Sequence, residues 1–153
     1  MDILEKQITL DEIEILREPL EKLHTYHNTH SKYFSGDYPR ITFEERIKKY
    51  RKNTEIGEYR IEVFYDKKTM NLIAFSIEYR EDASGKIEVL YVDESYRRNH
   101  LGTKLMNNAL KWFREKGIFE IELTVVYGNQ DAATFYENFG FFPRSIIMET
   151  KSS

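Results

Sequence analysis

The sequence predicts an α/β fold, with helices and strands arranged around one mixed (α+β) sheet. In the middle of the chain, apolar and polar residues alternate with the period of half-buried strands. Nearer the C-terminus, helical and strand-like segments follow each other in turn, which is typical of a βαβ unit. The 153 residues include only 7 Gly and 3 Pro, and no stretch has the composition of a linker. We therefore expect one domain over residues 1–153.

The N-terminal third predicts a short strand and two helical regions. The strand covers residues 3–8. Thr9 and Glu12 then have the spacing of a capping box, in front of apolar residues at helical intervals. Because Pro19 lies inside this pattern, we expect a kink or two abutting helices there. A second capping box begins the helix predicted over residues 42–53.

The middle of the chain predicts an antiparallel meander followed by a helix. Short polar turns join its three strands, which cover residues 59–65, 72–79 and 87–92. The helix begins at Leu101 and ends at Gly117. Because it lies between two strands, it makes a crossover, and those two strands should run parallel.

The C-terminal part adds a strand over residues 118–126, a helix over 129–139 and a last strand over 146–150. Gly140 ends this second helix. The complete predicted order is strand, helix, helix, three strands, helix, strand, helix, strand.

Composition limits the possible partners. Lys and Arg number 23 against 26 Asp and Glu, a net charge of −3, so no basic excess indicates nucleic acid or an anionic membrane. No run approaches the ~18 apolar residues of a membrane span, and residues 1–6 carry charges where a signal peptide needs an apolar run. The absence of Cys removes disulfides, thiolate nucleophiles and Cys-ligated zinc. We expect a cytoplasmic protein with no nucleic-acid or membrane partner.

One segment, residues 92–103, has the features of a phosphate-binding turn. It leaves a strand and opens a helix, whose first N–H groups are unpaired and carry about half a positive charge. Arg97 and Arg98 add full charges, and Gly102 has no Cβ to keep a phosphate from the backbone. The alternative is an ordinary helix cap with two solvated arginines. Neither the Walker A pattern nor the dinucleotide fingerprint is present.

A second segment opens the next helix. Asn129 can cap this helix, and Tyr136 lies seven positions further, two turns along nearly the same face. The alternative reading makes Tyr136 simply one of eleven tyrosines, half-buried like most.

The two segments together resemble the GCN5-related N-acetyltransferase (GNAT) family. The family motif Arg/Gln-x-x-Gly-x-Gly/Ala corresponds here to Arg97-Arg98-Asn99-His100-Leu101-Gly102. The motif Asn-x-x-Ala-x-x-Phe-Tyr, followed by Gly-Phe, corresponds to Asn129, Ala132, Phe135, Tyr136 and Gly140-Phe141. The motifs cover about residues 86–143, and the order of elements is similar over nearly the whole chain. The resemblance implies a GNAT-like acyl-CoA N-acyltransferase fold.

The resemblance also implies an activity and a co-substrate. Such proteins transfer the acetyl group of acetyl-CoA to a primary amine, which attacks directly in a ternary complex. The acceptor would be a small-molecule or peptide amine, and a homodimer is compatible with the family. The alternative is a non-catalytic module that binds or senses acyl-CoA.

By the same resemblance, the pyrophosphate of coenzyme A would rest on backbone amides at the helix start, and its pantetheine arm would pair with a strand that splays from its neighbour. The implied coenzyme-binding residues are Leu90, Tyr91, Val92, Arg97, Arg98, Asn99, His100, Leu101, Gly102, Thr103, Asn129, Ala132, Phe135 and Tyr136. His100 stands where the family has its first glycine. If that position has positive φ, the cost is roughly 1–2 kcal/mol for most side chains, although His visits this region more often than most.

The chemistry needs a base and an acid. A lysine-like amine has a pKa of ~10.4 and is protonated at neutral pH, so a carboxylate must accept its proton. Glu88 is the candidate, because its strand resembles the Leu-Glu-Asp-Leu/Phe-x-Val strand of polyamine acetyltransferases and it has the phase of Leu90 and Val92. A solvated glutamate is the alternative reading. Tyr136 is the candidate acid for the leaving thiolate. Weaker candidates for the base are Glu62, Glu78 and Glu122.

The connection over residues 26–41 is predicted to line the acceptor pocket, as the equivalent family segment does. Its candidate substrate-binding residues are Tyr26, Tyr33, Phe34 and Asp37, which with Tyr38 could enclose an amine by cation–π and charge contacts. A surface loop packed by its own aromatics is the alternative. No metal is expected. On a helix, the spacing of His24, His27 and His30 spreads their side chains over ~120° around the axis, so they do not converge on one point.

Overall fold

The structure, a computed structural model, describes residues 1–151. They form a five-stranded sheet with the strand order β1-β2-β3-β4-β5, where β1 is Ile3–Ile8, β2 Gly57–Asp66, β3 Leu72–Glu81, β4 Ser84–Val92 and β5 Glu120–Leu123. The helices are α1 (Arg17–His30), α2 (Phe43–Asn53), α3 (Leu101–Glu115) and α4 (Gln130–Glu137). Strands β1 to β4 pair antiparallel and β4 pairs parallel with β5, which confirms the predicted meander and crossover.

Helices cover both faces of the sheet. On one face, Leu16 and Leu20 belong to the same buried cluster as Ile61 of β2. On the other face, Leu105 of α3 is buried in a cluster with Phe64. Positions 61 and 64 lie on opposite faces because side chains alternate along a strand. Within residues 1–151, no helix has the length and apolar character needed to cross a membrane.

The first helical region is two abutting helices, as predicted. A 3₁₀ helix (Leu10–Leu16) begins with the Thr9 capping box, in which the Thr9 N–H donates to Glu12 Oε1 at 3.1 Å. The α-helix then begins at Arg17, so Pro19 lies in its first turn. A backbone N–H is not needed there, which is why the proline is tolerated.

The predicted strand over residues 146–150 is wrong. Residues 141–151 form neither helix nor strand, and the side chains from 142 onward are exposed. A strand needs a partner for its backbone groups, and β5 ends at Leu123 instead of the predicted residue 126. Glu149 instead binds Arg40, in the connection between α1 and α2, at 2.9 Å.

A buried group of charges lies between the sheet and α3. Arg60 contacts Glu78 and also Glu62 at 3.0 Å, and Asn108 of α3 donates to Glu62 at 2.9 Å. One cation cannot neutralise two buried carboxylates. Burial therefore raises the pKa of Glu78 to about 7 although Arg60 opposes the shift. Both glutamates are thus paired with Arg60.

We predict that Glu78→Gln removes a pH dependence of stability. Folded Glu78 holds its proton up to about pH 7, whereas a glutamate in the unfolded chain loses it near 4.5. The folded state therefore binds the proton more tightly, and this contribution to the free energy of unfolding falls as pH rises from about 4.5 to about 7. Urea unfolding across this range should show the fall for the wild type and a flatter profile for Glu78→Gln.

The matched control is Glu115→Gln, at the exposed end of α3, where Glu115 lies 3.9 Å from Lys111. This variant should keep the wild-type profile. Equal slopes for the wild type and Glu78→Gln would contradict the assignment.

Candidate active site

The site is formed where two parallel strands separate. Strand β4 pairs with β5 only as far as Ile87↔Leu123, but it pairs with β3 as far as Val92. The Asp93 N–H donates to Ile73 O on the β3 side, so the carbonyl of Val92, in the same peptide, points away from β3. Within residues 1–151, no strand pairs with this side of β4 beyond Ile87. The backbone at Leu90 and Val92 therefore has no strand partner on this side, and we call the space beside it the cleft between β4 and β5.

A β-bulge in β4 sets the position of Glu88. Ile77 pairs with Val89 but Glu78 pairs with Ile87, so Glu88 is the extra residue on the bulged strand. The bulge changes the alternation. Leu90 and Val92 pack toward α3. The sequence predicted that Glu88 has the same phase as these two residues, and this prediction is wrong because of the bulge.

Glu88 instead lies near tyrosines on the α2 side of the sheet. Burial raises the pKa of Tyr50 to about 12, and the negative charge of Glu88 adds to this shift. The same two causes, burial first, raise the pKa of Tyr59. The Glu88 side chain is 12% exposed, and its nearest cation, Lys86, is 3.9 Å away. Glu88 is therefore a half-shielded carboxylate beside the cleft.

The predicted phosphate-binding turn has two residues in the left-handed region, Arg98 at φ 70° and His100 at φ 61°. His100 therefore adopts the strained conformation that the family's glycine would relieve, at a cost of roughly 1–2 kcal/mol. His100 is the N-cap of α3, and its side chain makes no capping hydrogen bond to the first-turn N–H groups.

Gly102 lies close to the second motif. A Cβ added there would lie 3.2 Å from the ring of Phe135 and 3.8 Å from Val92. The missing side chain therefore lets α3 approach α4. Because Phe135 belongs to the second motif, this contact joins the two motifs in space.

Arg97, Tyr26 and Asn129 connect the turn, α1 and α4. The Nε of Arg97 donates to the carbonyl of Val92 at 3.1 Å, and its guanidinium lies 4.7 Å from the ring centre of Tyr26. Asn129 Nδ2 donates to the Tyr26 hydroxyl at 3.2 Å, and its Oδ1 caps α4 by accepting from the Ala132 N–H. The structure thus places Tyr26 beside the predicted coenzyme site.

Tyr136 lies in the same region, packed against Phe135 at 5.2 Å between ring centres. Burial raises the pKa of Tyr136 to about 12, and Tyr26 adds to the shift. Tyr136 is therefore a neutral phenol at neutral pH, as an ordinary tyrosine is, and the raised pKa makes it a weaker acid.

The connection between α1 and α2 is held by Asn28. Its Oδ1 accepts from the N–H groups of Gly36 (2.8 Å) and Tyr38 (3.0 Å), and its Nδ2 donates to the Tyr38 carbonyl. Tyr33 is 53% exposed and stacks on Tyr127 with ring centres 6.1 Å apart.

The four predicted substrate residues have different partners in the structure. Tyr26 belongs to the group with Asn129, and Tyr33 to a surface pair. Phe34 and Asp37 form a turn in which the Asp37 N–H donates to the Phe34 carbonyl. The connection is packed partly by its own aromatics, which was the alternative reading.

The histidines of α1 are structural neighbours of this connection. Burial lowers the pKa of His27 to about 4, so His27 is neutral at physiological pH. Its ring lies 5.3 Å from that of Tyr38. His30 Nδ1 contacts the carbonyl of Tyr26 at 2.9 Å. In the described residues, no group of three His, Asp or Glu side chains is arranged to hold a metal ion.

Two features of the site were missed by sequence reasoning. One is the hydrogen bond from the Arg97 side chain to the Val92 carbonyl, which no local sequence pattern predicts. The other is Gly128, which has φ +112° and whose added Cβ would lie 2.4 Å from the carbonyl oxygen of His30. Next to it, the Lys32 N–H donates to the Tyr127 carbonyl at 2.9 Å. The glycine directly before the Asn129 cap was the available signal.

A family model described as Acetyltransferase (GNAT) family matches residues 23–141. The chain belongs to this family. Over 72 residues it is 33% identical to an uncharacterized N-acetyltransferase of Methanocaldococcus jannaschii, a match covering 47% of this chain and 31% of that protein. Over 57 residues it is 40% identical to N-alpha-acetyltransferase 30 of Homo sapiens, covering 37% of this chain and 16% of that protein. These matches span less than a third of either relative.

The GNAT fold is also found among solved structures. The chain superposes on the "predicted acetyltransferase with acetyl-CoA" from Clostridium acetobutylicum with a TM-score of 0.72 and 15% identity, covering 98% of this chain and 96% of that one. At this identity the likeness shows the fold.

We predict that Gly128→Ala destabilises the protein more than Gly36→Ala. Both glycines have positive φ, so each substitution costs roughly 1–2 kcal/mol in backbone strain. Only Gly128 is also crowded, because its Cβ would meet the carbonyl of His30, whereas nothing lies within 4 Å of a Cβ at Gly36. Chemical denaturation of the two variants measures the difference. Equal losses would contradict a close approach between the two connections.

Proposed function

We propose that this chain transfers the acetyl group of acetyl-CoA to a primary amine by direct attack in a ternary complex. The observation that carries the proposal is the cleft between β4 and β5, with the phosphate-binding turn at one end and Asn129 and Tyr136 beside it. Membership of the GNAT family supports the same reaction. The solved relative with acetyl-CoA supports this co-substrate.

The coenzyme would be held largely by backbone groups. First-turn N–H groups of α3, with the Arg98 charge, suit the diphosphate. The exposed peptide groups of Leu90 and Val92 suit the amides of the pantetheine arm, which can add to β4 as a strand would. Arg97 donates a hydrogen bond to the Val92 carbonyl, which the pantetheine arm would also need. We therefore infer that the Arg97 side chain turns to the diphosphate when the arm binds.

The reaction needs one proton to leave the amine and one to reach the sulfur. Glu88 accepts the amine proton, directly or through water, and the free amine attacks the thioester carbonyl. A C–N bond forms as the C–S bond breaks, and Tyr136 donates its proton to the leaving thiolate. Holding the two reactants side by side in the cleft supplies much of the remaining acceleration.

The acceptor class stays open between a small molecule and a peptide. The resemblance of the strand around Glu88 to that of polyamine acetyltransferases favours a polyamine-like amine. The relative named N-alpha-acetyltransferase 30 favours a peptide amine instead. We propose a cytoplasmic protein that acts without a metal, nucleic acid or membrane.

The direct test is release of free coenzyme A from acetyl-CoA with a panel of polyamines, aminoglycosides and peptides with free N-termini. We expect turnover with at least one class. Coenzyme binding by calorimetry without any turnover would favour a binding or sensing module. No binding at millimolar coenzyme A would overturn the proposal.

We predict that Tyr136→Phe lowers kcat by about 10²-fold and leaves the Kd for coenzyme A within about twofold. The variant keeps the partly buried ring and removes only the proton donor. Tyr65→Phe, on β2 and away from the cleft, is the control and should keep full activity. Wild-type kcat for Tyr136→Phe would remove the acid role.

We predict that Glu88→Gln also lowers kcat by about 10²-fold at neutral pH. The loss should shrink as pH approaches ~10, because the amine then loses its proton without help. Glu115→Gln is the control, since Glu115 is exposed at the end of α3 and is not a candidate for the base. A loss that is constant with pH would show that Glu88 acts on something other than the amine proton.

A further inference from the structure

The inner face of α1 changes from apolar to polar along its length. Leu20 and Leu23 are buried in the core, and His24 and His27 continue the same face at helical intervals. The Nδ1 atoms of both histidines are buried, and within residues 1–151 they have no hydrogen-bond partner. Buried polar atoms are normally paired, so these two mark a polar pocket suited to a water molecule or a ligand.

Arg46 of α2 brings a positive charge to this side of the sheet. Its Nη1 donates to the hydroxyl of Tyr50 at 2.8 Å, and Tyr50 itself is buried. Arg51, on the same helix, binds Asp11 at 3.2 Å, whereas among the described residues no carboxylate forms an ion pair with Arg46. The half-buried guanidinium of Arg46 therefore keeps most of its five donors for another partner.

The two histidines and Arg46 interact electrostatically across the gap between α1 and α2. Burial lowers the pKa of His24 and His27, and the positive charge of Arg46 lowers both further. The pKa of His27 falls to about 4, so this ring is uncharged at neutral pH. A neutral imidazole still donates one hydrogen bond. The pocket thus combines one full positive charge with two neutral polar rings, a combination that suits an anion.

Glu88 places the opposite charge near the same phenol. Tyr50 belongs to the buried cluster that contains Val89, the residue after Glu88 on β4. Burial raises the pKa of Tyr50 to about 12, while the charge of Arg46 opposes this shift and that of Glu88 adds to it. Tyr50 therefore neighbours a cation and an anion that do not pair with each other within residues 1–151. A molecule with a cationic end and an anionic end is complementary to this arrangement.

We propose that the acceptor is a small primary amine that also carries a carboxylate or phosphate group, and that Arg46 binds this anionic group. Its oxygens accept from the guanidinium, which suits both groups geometrically, and from the N–H that His24 or His27 presents. The amine faces Glu88. This inference rests on the proposed function, because it takes Glu88 as the base. It selects against a polyamine, whose second positive charge is repelled by Arg46.

Matched acceptors test the proposal through release of coenzyme A from acetyl-CoA. The amines γ-aminobutyrate, butylamine and putrescine have similar lengths and end in a carboxylate, a methyl group and a second amine. Phosphoethanolamine and ethanolamine make the same comparison for phosphate. In at least one of the two comparisons, we expect kcat/KM to be at least about tenfold higher for the anionic amine than for its uncharged counterpart. Equal values in both comparisons, or the highest value for putrescine, would overturn the proposal.

Variants of α2 test the role of Arg46. Arg46→Gln should reduce this preference at least about tenfold, mainly by raising KM for the anionic amine. Arg46→Lys keeps the charge but loses the forked geometry, so it should keep only part of the preference. The matched control is Arg51→Gln on the same helix, which should keep the wild-type preference. An unchanged preference in Arg46→Gln contradicts the assignment. If circular dichroism shows that Arg46→Gln is unfolded, a wild-type preference in Arg46→Lys contradicts it instead.

Binding measured without turnover separates this inference from the proposed function. The same amines are titrated by calorimetry into the complex of the protein with coenzyme A, which cannot react. Tighter binding of the anionic amines with no acetyl transfer from acetyl-CoA would support the anion site and overturn the proposed reaction. Turnover of the amines without preference would support the reaction and overturn the anion site. Neither turnover nor a difference in binding would overturn both.

Discussion

The site depends on the point where β4 and β5 stop pairing. Up to Ile87 the two strands satisfy each other's backbone groups, and beyond it they do not. Buried peptide N–H and C=O groups must be paired, so the rest of the β4 edge must bind water, a side chain or a ligand. The bulge at Glu88 lies at the same place. Its extra residue bends β4, and the Glu88 side chain is turned toward α2.

The helices that border the cleft are held by contacts of two kinds. Gly102 lets α3 lie against Phe135 of α4, so the two helices position each other by packing. Asn108 binds α3 to the buried charges beneath it, through Glu62 and Arg60. The direction in which the start of α3 points is therefore set by the core.

Tyr26 connects the two sides of the site. It comes from α1, and it contacts Arg97 of the turn before α3 and Asn129 at the start of α4. Burial raises the pKa of Tyr136, and the electrostatic interaction with Tyr26 raises it further. The turn and the start of α4, both proposed to bind the coenzyme, thus meet at one aromatic side chain of α1.

Local patterns in the sequence determined most of the architecture. Capping boxes, helical spacing and two-residue alternation are properties of neighbouring residues, so helix α2, the meander and the crossover could be predicted from them. The Asn129–Tyr136 segment was found in the same way. Tertiary structure alone decided the phase of Glu88, the burial of Glu62 and Glu78, and the absence of a strand at residues 146–150. Each of these depends on which backbone or charged group lies opposite, and a partner distant in sequence leaves no local signal.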